Sequence, residues 1–346
     1  MLDKFKSFLP VIFAFLGAAG GTVLLPSVTG PQPFYANDFC VITPVPTCVF
    51  VTPTPVPSPT PTNTPLPTST PVPRPTITHT LPFTKLVAYP LHCEDMSLVN
   101  ADGTYTAGPH PRSCPGITGF SLIRDLDQWA RITSGTLTIP ADVQVIAGSN
   151  EPDLCPDQGC ATPLEWVVVQ HYIDEYYPDV IQFSPSPSPS NRAQWLVAHR
   201  TLYHNTYTYY PQWDYLALHL YLYVSSGSAG IITNLNQMIS LAELYLSYAD
   251  TWGLKGVVIT EFAVIVFKDT SGDFLYDEGI QTLEAWWNHP TPNGPLGSQF
   301  PAIAWYTAHD DPYWGFGPNA TTQLYYPDHT LTPLGIWFKQ LDIISH

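Results

Sequence analysis

From Val51 to about Thr80 the chain runs Thr-Pro-Thr-Pro-Val-Pro-Ser-Pro-Thr-Pro-Thr-Asn-Thr-Pro-Leu-Pro and continues in the same style. Proline has no amide donor and a fixed φ, so this stretch enters neither a helix nor the interior of a sheet. It reads as an extended, semi-rigid spacer of about 3.1 Å per residue. Whatever folds must therefore lie after it, in roughly 265 residues, a length that suits one large domain.

The segments ahead of the spacer have their own character. Lys4 and Lys6, an apolar run from Phe8 to Leu16 and the small residues Gly17 to Gly21 follow the order of a secretory signal. Apolar character resumes at Val23 to Leu25, so an uncleaved signal-anchor is the competing reading. The domain plan is then 1–25 signal peptide or signal-anchor, 26–50 a short cysteine-containing segment, 51–82 a disordered Pro/Thr-rich linker, and 83–346 the folded domain. This plan places the protein outside the cell or on its surface, with the N-terminus as a membrane or cell-wall tether.

Export bears on the six cysteines. An even number in an exported chain favours disulfides. Local pairing, Cys40–Cys48, Cys93–Cys114 and Cys155–Cys160, is the simplest of the fifteen connectivities open to six cysteines. Cys-x-x-Cys or His partners at ligand spacing are absent, so no zinc site and no cofactor is expected. The net charge is −16, charged residues are 12% and aromatic residues 13% of the chain. Such a surface repels phosphate backbones, which excludes nucleic acid as a partner and favours neutral ligands that stack on rings. A monomer is expected.

Beyond Lys85, short apolar runs alternate with helical stretches, the pattern of strands with crossover helices and of an α/β barrel. The expected strands are Leu86–Leu91, Gly119–Leu122, Val143–Ala147, Val180–Phe183, Tyr215–Tyr221, Gly256–Phe262 and Ala302–Tyr306. An eighth must lie between Cys93 and Ile139. The expected helices are Pro163–Tyr176, Asn191–His204, Leu235–Trp252 and Gly279–Trp287. The third places Leu235, Met238, Ile239, Ala242, Leu246 and Ala249 on one face.

Two of these strands end in glutamate. Val-Ile-Ala-Gly-Ser-Asn-Glu-Pro-Asp puts Glu151 just after one strand, and Gly-Val-Val-Ile-Thr-Glu-Phe puts Glu261 at the end of another, flanked by apolar residues on both sides. In a barrel such ends form the rim where active sites are built. A polar turn accounts equally well for Glu151 taken alone, whereas a buried Glu261 needs a partner or a role. Two carboxylates about 5–5.5 Å apart can act in turn on one glycosidic bond, one as acid/base and one as nucleophile. The acid then needs its pKa raised by burial, and the nucleophile needs donors that keep it ionised.

Other residues fit a sugar site. Asn150 can bond a sugar hydroxyl, His219 and Tyr221 alternate on one strand toward the barrel interior, and Trp305 can floor a sugar ring, although core packing is the competing reading for each aromatic. His309, Asp310, Asp311, Tyr313, Trp314 and Phe316 form a polar-aromatic loop. Asp269, Ser271, Asp273 and Asp277 alternate like a calcium loop, but Ile280 stands where the closing glutamate belongs. Asn319-Ala320-Thr321 is an N-glycosylation sequon.

With Asn150–Asp153, Ser184-Pro185, His219–Tyr221 and Thr260–Phe262 in this order, the region from Lys85 onward resembles the clan A glycoside hydrolases, and within them family 128. The resemblance implies an eight-stranded TIM barrel, a retaining double displacement with Glu151 as acid/base and Glu261 as nucleophile, and a β-1,3-glucan substrate. Clan members place an arginine behind the nucleophile, for which Arg124 is the candidate. The competing function is a surface barrel that binds carbohydrate without cleaving it.

Overall fold

The computed structural model describes residues 80–343 apart from 91, 111–113, 157, 229 and 308–317. The expected signal, the Cys40–Cys48 pair, the linker up to residue 79 and the 309–316 loop lie outside the described residues.

Eight parallel strands form the barrel: β1 Lys85–Ala88, β2 Gly103–Tyr105, β3 in two pieces Thr118–Gly119 and Ser121–Leu122, β4 Val145–Ala147, β5 Ile181–Phe183, β6 Tyr215–Gly227, β7 Gly256–Phe267 and β8 Ile303–Trp305. Each pairs with the next in chain order, and β8 pairs with β1 through Val87 and Trp305. The two pieces of β3 are separated by Phe120 alone, and they pair with β2 and β4 respectively, so the sheet closes on itself. β2 is the eighth strand. Its sequence Gly-Thr-Tyr carries no Val, Ile or Leu, unlike the equally short β4, β5 and β8, which is why pattern reading passes over it.

Side chains alternate between two cores. Leu86, Ala88, Phe120, Val145, Ala147 and Phe183 fill the barrel, while Val87, Ile146, Leu216 and Ile259 face the surrounding helices. Burying each of the larger of these side chains, such as Leu86 or Phe183, contributes about 1.5–3 kcal/mol.

The helices are α1 Cys93–Leu98, α2 Leu126–Thr133, α3 Pro163–Tyr176, α4 Gln194–Tyr207, α5 Leu235–Trp252, α6 Tyr276–Trp287 and α7 Pro333–Gln340. Helix α3 starts on a capping box between Thr162 and Glu165 with Pro163 in its first turn. Helix α5 buries Met238, Ile239, Ala242 and Ala249 of the expected face, and stops at Gly253 with φ +70°. Helix α4 begins later than the pattern suggests. Arg192 and Ala193 both take left-handed φ, and Asn191 accepts a hydrogen bond from the Trp195 amide instead of joining the helix.

Two strands outgrow the rest. β6 and β7 run together from Tyr215–Gly256 to Val224–Val266, continuing past the barrel mouth, where Gly230–Thr233 and Ala320–Thr321 pair antiparallel on their flanks. The disulfides Cys93–Cys114 and Cys155–Cys160 are formed. Among the described residues no helix is long and apolar enough to cross a membrane.

Candidate active site

The acid/base candidate sits on a braced rim. After β4, a parallel bridge between Asn150 and Ser186 carries the pairing of β4 and β5 one step further. The Glu151 amide donates to the Ser186 carbonyl at 2.8 Å. Glu151 itself adopts φ +42°, a conformation rarely taken by a residue with a side chain, which turns its carboxyl off the line of the strand. Asp153 accepts from the Ser188 amide at 2.8 Å and its hydroxyl at 2.5 Å. The loop closed by Cys155–Cys160 folds beneath: Gly159 donates to the Asn150 carbonyl at 2.8 Å, where an added Cβ would lie 2.3 Å from that oxygen. Asn150 donates its own amide to Gln158 at 3.2 Å.

The neighbouring strand ends are laced by hydroxyls. Ser184 Oγ accepts from the Ala217 amide at 3.0 Å, and Ser186 Oγ lies 3.0 Å from Thr260 Oγ1. The register of β6 and β7 shifts between Leu218 and His219, so that Thr260 and Glu261 both serve the inner side. A bulge at this level re-aims a side chain into a site.

Four expected residues meet at the barrel mouth. His219 Nδ1 is 3.2 Å from Glu151 Oε1 and 3.4 Å from Glu261 Oε2, and Tyr221 donates its hydroxyl to Glu261 Oε2. His219 and both glutamates are buried, and one donor atom from each of the three lies within 4.8 Å of the others. Among the described residues this is the one set of three such groups close enough to hold a metal ion. A single imidazole nitrogen, Nδ1, faces both carboxylates.

Charge balance here departs from the sequence expectation. Burial is the largest influence on Glu261 and raises its pKa, and repulsion from Glu151 adds to this; His219, Tyr221 and Tyr105 pull it down but do not win. The expected nucleophile is thus not simply held ionised. Burial pushes His219 down, yet the two carboxylates together outweigh it and raise its pKa.

Trp305 does not join the site. Along β8, Ala302 and Ala304 face into the barrel, so Trp305 points outward; it is fully buried against Phe262 and Phe338, and its indole donates to the Thr322 carbonyl. The inward aromatic is the next residue, Tyr306, with ring centroids 5.9 Å from both Tyr221 and Tyr89. Tyr89, Tyr105 and Tyr306 all have raised pKa values, from burial first and the charge of Glu261 second. None lies in a recognised motif, and only the inward parity of Tyr306 was open to sequence reading. Arg124, at the end of β3, donates to Gln158 at 3.4 Å and its charge is felt by Tyr89 and Tyr306.

The barrel has the fold of glycoside hydrolase family 128. A family 128 (subgroup III) curdlan-specific exo-β-1,3-glucanase from Blastomyces gilchristii, solved with glucose, superposes with a TM-score of 0.53 at 15% identity, covering 75% of this chain and 98% of that one. A subgroup I endo-β-1,3-glucanase from Amycolatopsis mediterranei, solved as a variant with laminarihexaose, gives 0.52 at 17% identity over 74% and 98%. A subgroup II endo-β-1,3-glucanase from Pseudomonas viridiflava gives 0.50 at 18% identity over 76% and 98%. No family model and no curated protein matches the sequence.

Away from the mouth, the calcium-like loop closes on itself. Asp269 accepts from the amides of Ser271 and Asp273 and from the Ser271 hydroxyl, an Asx-type turn. Asn319 of the sequon is exposed.

Proposed function

We propose that this protein is an exported retaining β-glycoside hydrolase acting on β-1,3-glucan. The observation that carries the reading is the pair of buried glutamates that meet at the mouth from different strands, one oxygen of each within 4.8 Å of the other and both facing one histidine nitrogen. That close approach suits a carboxylate that attacks the anomeric carbon directly.

Glu261 attacks the anomeric carbon while Glu151 gives its proton to the departing glycosidic oxygen, forming a glycosyl ester. Glu151, now a carboxylate, takes a proton from water as that water attacks the same carbon, and Glu261 departs ionised. Each glutamate ends in its starting state. Tyr221 orients Glu261, and burial makes that carboxylate poorly solvated, so the positive charge developing on the sugar is strongly favoured beside it. Tyr306 and Tyr89 offer ring faces beside the reacting centre in place of Trp305. The β-1,3 linkage is supported by the common fold with glucanases of that specificity. Export is supported by the signal-like leader of the sequence.

The test is release of reducing sugar from curdlan, laminarin, mixed-linkage glucan, mannan and xylan. Activity on β-1,3-glucan that disappears in Glu261→Ala is the expected result. A wild type inert on every polymer but retained on a curdlan column would replace this reading with the binding one.

A further inference from the structure

Tyr105 ends β2 as a buried phenol outside every motif. Its ring stacks on Phe120, with centroids 4.6 Å apart and planes inclined by 16°, and lies 5.7 Å from Tyr89. Packing on two sides fixes the direction of the hydroxyl. The residue is 1% exposed, and its hydroxyl oxygen is buried without a hydrogen-bond partner at full geometry. A phenol left in that state is expensive, so its direction needs an explanation. Tyr105 faces the barrel interior and joins the tyrosines of the mouth: Tyr89 beside it lies 5.9 Å from Tyr306, which lies 5.9 Å from Tyr221, the donor to Glu261.

Position in the barrel makes this arrangement specific. β2 and β6 stand on opposite sides of β7 in the strand order, so the two phenols approach Glu261 from different directions. Among the described residues, the ion pairs of both glutamates run to His219 alone. One imidazole cannot serve two carboxylates fully, and neutral donors must supply the remainder.

We propose that Tyr105 is a second positioning residue for Glu261, closing its O–H onto the carboxylate from β2 and forming a two-phenol clamp with Tyr221. This rests on the reading of Glu261 as nucleophile. A donor on a carboxylate favours its ionised form, so the clamp keeps Glu261 ready to attack at lower pH. It also makes Glu261 a better leaving group when the glycosyl ester is hydrolysed. No additional reactant is needed.

The decisive variant is Tyr105→Phe, which keeps the ring stack and removes only the hydroxyl. We expect the acidic limb of kcat/KM on laminarin to move up by about one pH unit, the scale of one hydrogen bond to a charged group. Below that limb the rate falls roughly tenfold, with KM within about twofold of wild type. Placing 3-fluorotyrosine at 105, a stronger donor of nearly the same shape, moves the limb the other way and covers the case in which the phenylalanine variant folds poorly. Independently, carbon-13 titration of the glutamate side chains, with Glu261→Gln to assign the signal, shows Glu261 protonating at higher pH in Tyr105→Phe. An unchanged limb together with an unchanged Glu261 titration overturns the proposal. A wild type inactive on every glucan removes the functional reading instead, while the titration still decides whether Tyr105 acts on Glu261.

Discussion

The two glutamates can be told apart by deleting them separately and changing the leaving group. One oxygen of each lies within 4.8 Å of the other, and both face the same imidazole nitrogen, an approach that fits a direct-attack pair. On that geometry Glu261→Ala removes the atom that bonds to the sugar, a loss on the order of 10⁵ in kcat whatever the substrate, by the scale of deleting a covalent nucleophile. Glu151→Ala removes only proton transfer, worth about 10²–10⁴ on a polymer. On a dinitrophenyl β-glucoside chain, whose leaving group needs no proton, the first step of Glu151→Ala should proceed at near wild-type rate and the glycosyl-enzyme should accumulate. Azide then resolves the stereochemistry. It fills the space of the missing carboxyl, giving β-glycosyl azide from Glu151→Ala and α-glycosyl azide from Glu261→Ala. Stopped-flow release of dinitrophenol and proton NMR of the products read both outcomes. A Glu261→Ala variant retaining more than about 1% activity, or wild-type product released with inverted configuration, refutes the double displacement.

Further expectations follow from the same contacts. Glu261→Gln should raise the melting temperature, because the raised pKa means the folded state penalises the charged carboxylate; about 1 kcal/mol corresponds to roughly 2–4 °C by calorimetry. Trp305→Ala should cost about 3–5 kcal/mol in denaturant unfolding, whereas Tyr306→Ala should act mainly on KM, since the first side chain is core and the second lines the site. His199 is fully buried with its pKa lowered from 6.5 to about 4, so the unfolded chain binds the extra proton between those values. Stability should therefore fall as pH drops through that window and level off below it, by about 3 kcal/mol in total. Urea titrations of His199→Phe, which keeps a ring between Trp195 and Trp213, should lack that decline.

Pattern reading located the elements whose apolar residues recur over several turns or alternations. Helices Pro163–Tyr176 and Leu235–Trp252 have the expected ends because a capping box, an N-terminal proline and a C-terminal glycine are local signals. Seven of the eight barrel strands were legible for a related reason, being runs of Val, Ile and aromatics bounded by turn residues. β2 escaped because Gly-Thr-Tyr has no Val, Ile or Leu to mark a strand, and α4 was misplaced because the left-handed pair Arg192 and Ala193 has no glycine to mark it. Glu151, Glu261, His219 and Tyr221 were identifiable as polar residues set into or just after apolar runs; the expected strand end at Glu261 is not found, since β7 runs on to Phe267 and β6 to Gly227, yet all four reach the barrel mouth.

What the linear chain could settle was chemistry attached to one strand at a time: which residues end strands, which faces are apolar, and where proline forbids a fold. Closure of the barrel decided the rest, since it sets strands distant in sequence side by side. It brought one imidazole nitrogen against two carboxylates, turned the Glu261 pKa upward through burial, and gathered Tyr89, Tyr105, Tyr221 and Tyr306 from four different strands and their ends into one cluster. It also sent Trp305 to the helix layer and Tyr306 to the mouth, because the inner side of a strand is set by its neighbours' register, and residues one apart point to opposite faces.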